Sequence, residues 1–157
     1  MQAQTLIMPL ENVGTDAISS LDKMLRGEIS AVETYDMALK QTKNFAIESD
    51  LSQLKATHSA AVAVLRAFII ENGGAPSESS GAWGLWARVV EQVASILGDL
   101  TMLKSLKEGE EHGVNDYNKV LEDESVTFKT KETLKKIAFQ GQKNIQCLDR
   151  LINRINN

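Results

Sequence analysis

The sequence predicts an all-α fold, a four-helix bundle with a long crossover that carries an extra short helix. Three observations predict it. Apolar residues recur at steps of three and four through four long stretches, which is the helical period. No stretch alternates apolar and polar residues for long enough to make a strand. A set of residues in the first stretch returns in the same order in the third. The 157 residues are the size of one ordinary domain. Aromatics are 5% of the chain and prolines number two, which suits a helical protein with an aliphatic core.

The first helix is expected from about Asp16 to Thr42, with Thr15 and Asp16 able to cap it. Its stripe is Leu21, Met24, Leu25, Val32, Tyr35 and Leu39. Ser49 and Asp50 can cap a second helix, striped by Leu51, Leu54, Ala61, Val62, Leu65 and Ile69. Asn72-Gly73-Gly74 ends it. Residues 73–99 differ in character. They open with Gly, Pro and Ser, pass through Trp83-Gly84-Leu85-Trp86-Ala87 and stay apolar to Leu97. We read them as a crossover with its own short helix. A third long helix starts near Asp99, striped by Leu103, Leu106, Val114, Tyr117 and Leu121. After the polar stretch Glu122–Thr130 a fourth carries Leu134, Ile137, Leu148, Leu151 and Ile155. The chain thus divides into an N-terminal arm 1–15 and a bundle 16–157, made of hairpin 16–72, crossover 73–99 and hairpin 100–157.

With residue 21 placed over residue 103, Leu21, Gly27, Glu28, Val32, Tyr35 and Leu39 meet Leu103, Gly109, Glu110, Val114, Tyr117 and Leu121. Composition alone gives about one identity in such a window. The pattern G-E-x-x-x-V-x-x-Y-x-x-x-L therefore points to a duplicated hairpin. The second and fourth helices align by pattern, His58 over Asn144 and Leu65 over Leu151. Two hairpins joined by so long a connection match the crossover that separates ferritin-like bundles from up-down-up-down ones.

Charge and cysteine usage exclude several function classes. Lys and Arg total 17 against 21 Asp and Glu, so no electrostatic footprint for nucleic acid is present. The single cysteine, Cys147, allows no internal disulfide and suits a reducing compartment. The apolar stretch Leu6–Leu10 is short, is broken by Pro9 and lacks a basic start, so it is not read as a signal peptide. No segment approaches the roughly 20 apolar residues that span a bilayer. The expectation is a cytoplasmic protein with no membrane and no nucleic-acid partner.

Each long helix carries one polar residue on its apolar face. Glu28 falls between Leu25 and Val32, His58 between Leu54 and Val62, Glu110 between Leu106 and Val114, and Asn144 between Ile137 and Leu148. A buried carboxylate costs several kcal/mol unless it is paired or bound to a cation. Such a layer binds something or satisfies itself. Tyr35 and Tyr117 follow the two glutamates by two turns on the same face and could reach polar groups from the opposite helices.

Leu25-Arg26-Gly27-Glu28 with Glu33-Thr34-Tyr35, Pro76-Ser77 with Ser80-Gly81-Ala82-Trp83-Gly84 and Trp86-Ala87, and Glu108–Gly113 with Asp116-Tyr117 resemble an uncharacterised bacterial family of ferritin-like four-helix-bundle proteins. That family is similar to rubrerythrins and bacterioferritins, whose members hold two iron atoms between the helices. The resemblance implies a fold and a site location, not an activity. The superfamily pattern takes one Glu from each of two helices and Glu-x-x-His from each of the other two. Glu28 and Glu110 fill the first role and His58 part of the second. Lys55, Gly141 and Asn144 stand where the remaining ligands belong.

The candidate metal residues are Glu28, His58, Glu110 and Glu111, with Tyr35, Tyr117, Asn144 and Lys55 around them. Glu108 and His112 turn away from the stripe and read as a solvated face. Cys147 reads as a small core residue rather than a nucleophile. No P-loop, dinucleotide glycine pattern or nucleophile elbow is present. Trp83, Trp86 and Val90 offer either cover for one flank of the bundle or an interface, most simply in a homodimer. Two functions follow. One is a protein holding a single iron, manganese or zinc ion, whose enzymatic form would be an iron-dependent oxidase or peroxidase. The other is a metal-free, oligomeric bundle in which the layer is a hydrogen-bonded network that fixes helix register.

Overall fold

A computed structural model describes residues 14–157, apart from the side chains of Trp83, Val93, Ser95 and Ile96. Five α-helices and a single 3-10 turn make up the described chain: α1 (Thr15–Gln41), α2 (Phe45–Glu71), the turn Gly81–Gly84, α3 (Leu85–Leu97), α4 (Asp99–Glu122) and α5 (Phe128–Asn156). No strand occurs among the described residues. The arm falls almost wholly outside them, and α1 begins at Thr15, within the expected arm.

The boundaries shift where capping chemistry was misassigned. α1 is preceded by Gly14, with no side-chain cap from Thr15 or Asp16. α2 starts ahead of Ser49, because the Asn44 side chain accepts the Ala46 amide and nucleates the first turn. α5 starts at Phe128, where Thr127 accepts the Thr130 amide. Gly73 and Gly98 have φ of +79° and +81°, a left-handed conformation that glycine adopts without steric cost. The first turns the chain out of α2 and the second separates α3 from α4.

The most extensive contacts are α1 with α2 and α4 with α5, while α1 meets α4 and α2 meets α5 more sparsely. Two apolar clusters hold the four long helices together, one on each side of the polar layer. One contains Leu21, Leu25, Leu65, Ile69, Tyr117 and Leu134. The other contains Tyr35, Leu51, Leu54, Leu103, Leu106 and Leu148. α3 lies against α1 and α4. The crossover is pinned to α1 by Ser77, whose amide and hydroxyl both donate to Asp22 at 2.7 Å, and by Ser80, whose hydroxyl donates to Glu33 at 2.7 Å.

The expected interface on the crossover is corrected in part. Val90 is fully buried in the second cluster and Trp86 packs against it. These residues attach α3 to the long helices. The Trp83 side chain lies outside the described residues. The exposed apolar side of α3 is instead formed by Leu85, Val89 and Leu97, at 63%, 43% and 61% exposure.

Two glycine classes make a testable contrast. A Cβ on Gly141 would lie 2.7 Å from Val114 Cγ2, while one on Gly27 or Gly113 would meet nothing within 4 Å. Overpacking a stiff β-branched neighbour costs about 1–3 kcal/mol, and Gly→Ala in a helix gains up to about 1 kcal/mol. Urea denaturation should show Gly27→Ala and Gly113→Ala stabilised and Gly141→Ala at least 1 kcal/mol less stable than either. Equal gains at all three sites would contradict this packing.

Candidate functional site

Glu28 on α1, His58 on α2, Glu110 on α4 and Asn144 on α5 meet in one layer, with exposures of 7%, 9%, 7% and 2%. His58 stands at its centre. Its Nδ1 is 2.7 Å from Glu28 Oε2 and its Nε2 is 2.8 Å from Glu110 Oε1. A neutral imidazole has one N–H, whereas an imidazolium has two. Two carboxylate partners, one at each nitrogen, make His58 a cation. Burial by itself lowers the pKa of the imidazole. The Glu110 and Glu28 carboxylates outweigh it, and the pKa rises from 6.5 to about 10.

The tyrosines complete the layer reciprocally. Tyr35 donates to Glu110 Oε1 at 2.6 Å and Tyr117 donates to Glu28 Oε1 at 2.6 Å. Glu28 with Tyr35 and Glu110 with Tyr117 are equivalent positions of the sequence repeat, so each repeat's tyrosine serves the other repeat's glutamate. Burial first, then the neighbouring carboxylate, pushes both phenol pKa values well above 10. Both hydroxyls therefore remain donors. The Tyr35 ring also stacks on His58, with centroids 5.3 Å apart.

Asn144 is α5's contribution to the layer. Its Nδ2 donates to Thr57 Oγ1 at 3.0 Å and lies 3.3 and 3.4 Å from the two Glu110 carboxylate oxygens. Gln140 Nε2 donates to Asn144 Oδ1 at 3.0 Å and fixes the amide orientation. Sequence reading missed Thr57 and Gln140. Their signal was a position one residue or one turn away from a layer residue.

Two candidates lie apart from the layer. Lys55 pairs with Asp36 on the outer side of the α1–α2 hairpin. Glu111 is exposed and sits 3.6 Å from Lys107. Glu108 and His112 are exposed, as expected. His112 approaches Asp116, a buried acid that the sequence reading passed over and that also accepts from Lys119 at 3.0 Å. Burial raises the pKa of the Cys147 thiol.

A cavity of about 580 Å³ adjoins the layer and is lined from all four long helices and by Trp86. Gly27, Ala31, Ala60, Ala61, Gly113 and Gly141 contribute to its wall. Gly27 and Gly113 leave open space on the wall, whereas Gly141 is packed against Val114. The recurrence of Gly and Ala at helical steps was a visible signal for the cavity.

Residues 16–123 match the family described as a domain of unknown function (DUF2383). The chain belongs to that family. The matched span includes Glu28, His58 and Glu110 and stops before α5, so Asn144 lies beyond it. No curated protein and no solved structure matches the chain. Among the described residues no helix is long and apolar enough to cross a membrane.

The charge state of His58 sets a pH dependence. Its pKa in the folded chain, about 10, exceeds the ordinary 6.5, so folding takes up a proton between these values. The stabilisation is complete below about pH 6.5 and is lost as pH rises towards 10. The groups facing His58 are Glu28, Glu110, Tyr35 and Asn144, with Tyr117 behind Glu28. Over that window urea-unfolding free energy should fall with pH by up to about 1.4 kcal/mol per unit. His58→Gln should flatten the slope and lower stability at pH 7. An unchanged slope in the variant would exclude His58 as its source.

Proposed function

We propose that this chain is a ferritin-like four-helix bundle that works without a metal, as an oligomeric interaction bundle, with the His58 imidazolium in the place where related bundles hold a metal pair. The observation that carries this reading is the occupation of both ring nitrogens by Glu28 and Glu110 at 2.7 and 2.8 Å. A metal ion needs a bare imidazole nitrogen. Here each nitrogen already serves a carboxylate, and the proton supplies the charge that a metal would supply.

The donor set does not fit a two-metal centre. Two divalent cations a few ångströms apart need carboxylates between them. At the corresponding positions Lys55 is paired with Asp36 and Gly141 is packed on Val114. Among the described residues no group of three His, Cys, Asp or Glu side chains has the geometry to hold a metal ion. The Glu28 and Glu110 carboxylates raise the His58 pKa, so a metal ion would have to displace a ring proton at pH 7, which weakens its binding. The ferritin-like assignment is supported by the two hairpins, the crossover helix between them and the reciprocal Tyr–Glu pairs at repeat-equivalent positions.

A single iron, manganese or zinc ion is the competing reading, favoured by the convergence of two carboxylates and one imidazole. Elemental analysis of protein purified without added metal, followed by zinc and ferrous titration at pH 7, separates the two. The proposal expects well under one equivalent bound. Stoichiometric metal that is lost in Glu28→Ala or Glu110→Ala would overturn it.

The exposed Leu85, Val89 and Leu97 on α3 support a homodimer through that helix. Light scattering at micromolar concentrations should give twice the chain mass, and Val89→Glu should give the monomer. A monomeric mass for the unaltered chain would remove this part of the proposal.

A further inference from the structure

The chain's net charge of -4 conceals a division. α5 carries seven Lys and Arg against two Asp and Glu, which leaves ten against nineteen for all other positions. One helix is thus strongly basic and the remainder strongly acidic. The two acids of α5 are already paired, Glu132 with Lys135 at 3.0 Å and Asp149 with Lys107 of α4 at 2.7 Å. Lys129, Lys136, Lys143 and Arg150 recur at every seventh residue, and all four are exposed. Seven residues are close to two turns, so the four form one line along the outer side of α5, roughly 30 Å long at 1.5 Å per residue. Among the described residues no carboxylate lies within ion-pair distance of any of them.

Apolar side chains stand beside this line. Phe128 and Phe139 are 75% and 62% exposed, and Lys143 Nζ lies 4.7 Å from the centroid of the Phe139 ring. α2 borders the line: Lys129 Nζ is 5.9 Å from the centroid of the Phe68 ring, and Asn144 donates to Thr57. Between Ala56 and Ala67 the exposed residues of α2 are Ala56, Ser59, Ala60, Ala63, Val64 and Ala67. No acid occurs between Asp50 and Glu71. Single exposed apolar residues are ordinary on a protein surface. Two phenylalanines and an uncharged flank beside an unpaired basic line make one patch of both kinds.

The two kinds together select the partner. A nucleic acid or an acidic protein would answer the lysines and leave the apolar side chains without a counterpart. A bilayer surface with anionic headgroups answers both, because lysine stems can reach the phosphates while apolar side chains enter the headgroup boundary. The acidic remainder of the chain is repelled by the same surface, which favours one orientation. The face is also separate from the helix proposed to join two copies, since α3 touches α1 and α4 but neither α2 nor α5. A surface contact needs no spanning helix. We infer that the α2–α5 face docks the chain on an anionic lipid surface, with Lys129, Lys136, Lys143 and Arg150 at the phosphates and Phe128 and Phe139 in the headgroup boundary.

The test is co-sedimentation of the full chain at pH 7 with vesicles of phosphatidylcholine, alone or mixed with about one-third phosphatidylglycerol. The chain should pellet with the mixed vesicles and stay in solution with phosphatidylcholine alone. It should leave the mixed vesicles in about 0.5 M salt, where the screening length falls below about 5 Å. Each lysine near such a surface strengthens binding about fivefold, so Lys129→Gln, Lys136→Gln and Lys143→Gln together should weaken it roughly a hundredfold. The same change at Lys23, Lys40 and Lys104, exposed on α1 and α4, should leave it within about threefold. Circular dichroism checks that both triple variants are helical. In Phe139→Trp, the mixed vesicles should bring a shift of emission to shorter wavelength that the unaltered chain lacks. No pelleting with the mixed vesicles, an equal loss in both triple variants, an unmoved emission, or oligothymidylate bound as tightly as the vesicles would each overturn the inference.

Discussion

Two glutamates buried between apolar clusters need their charge compensated, and His58, set between them with its pKa raised by both carboxylates, is placed to supply that compensation. The ion pair spans α1, α2 and α4 at one height, so it fixes their relative register more sharply than leucine packing can. Apolar side chains tolerate sliding by repacking, whereas removing one member of a buried charged set leaves an uncompensated charge that costs about 3–5 kcal/mol. Tyr35 and Tyr117 extend the constraint along α1 and α4, since each reaches the carboxylate held by the other repeat. Asn144 ties α5 to the same point through Glu110 and Thr57. The arrangement depends on every oxygen and ring nitrogen having a partner; a partly satisfied network would be worse than an apolar core.

The cavity is a consequence of the same geometry. The layer holds the hairpins at a set spacing, and the glycines and alanines on the facing helices do not fill it. Packing is therefore dense within each hairpin and thin between them. α3 covers part of the opening on the α1–α4 side through Trp86. The tyrosines and the imidazole line the cavity, and the layer's own hydrogen bonds already occupy their polar atoms.

Much of this was legible in the sequence. The helical period gave the long helices, and the apolar stripe, interrupted once per helix, named Glu28, His58, Glu110 and Asn144. The repeat placed Tyr35 and Tyr117. Boundaries were less legible: the sequence reading took Ser49 and Asp50 as the caps of α2, whereas Asn44 caps it. The direction of Lys55 was left open by the sequence. It lies three residues before His58, and a lysine stem can turn outward; the pairing with Asp36 that draws it out is a contact between helices. Trp86 and Val90 were read as surface or cover from their apolarity alone, and only the packing of α3 against α1 and α4 decides between them. Glu111 looked like a ligand through its neighbours in sequence, although one helical step of about 100° is enough to place it outside.

The central claim is that His58 carries two protons at neutral pH because each ring nitrogen faces a glutamate. Long-range proton–nitrogen correlation NMR of the histidine rings at pH 8 tests it most directly, with His58→Gln used to assign the signal. The account predicts two protonated ring nitrogens for His58 at that pH. One protonated and one bare nitrogen would show a neutral imidazole, with a lone pair free for a metal, and would contradict the account.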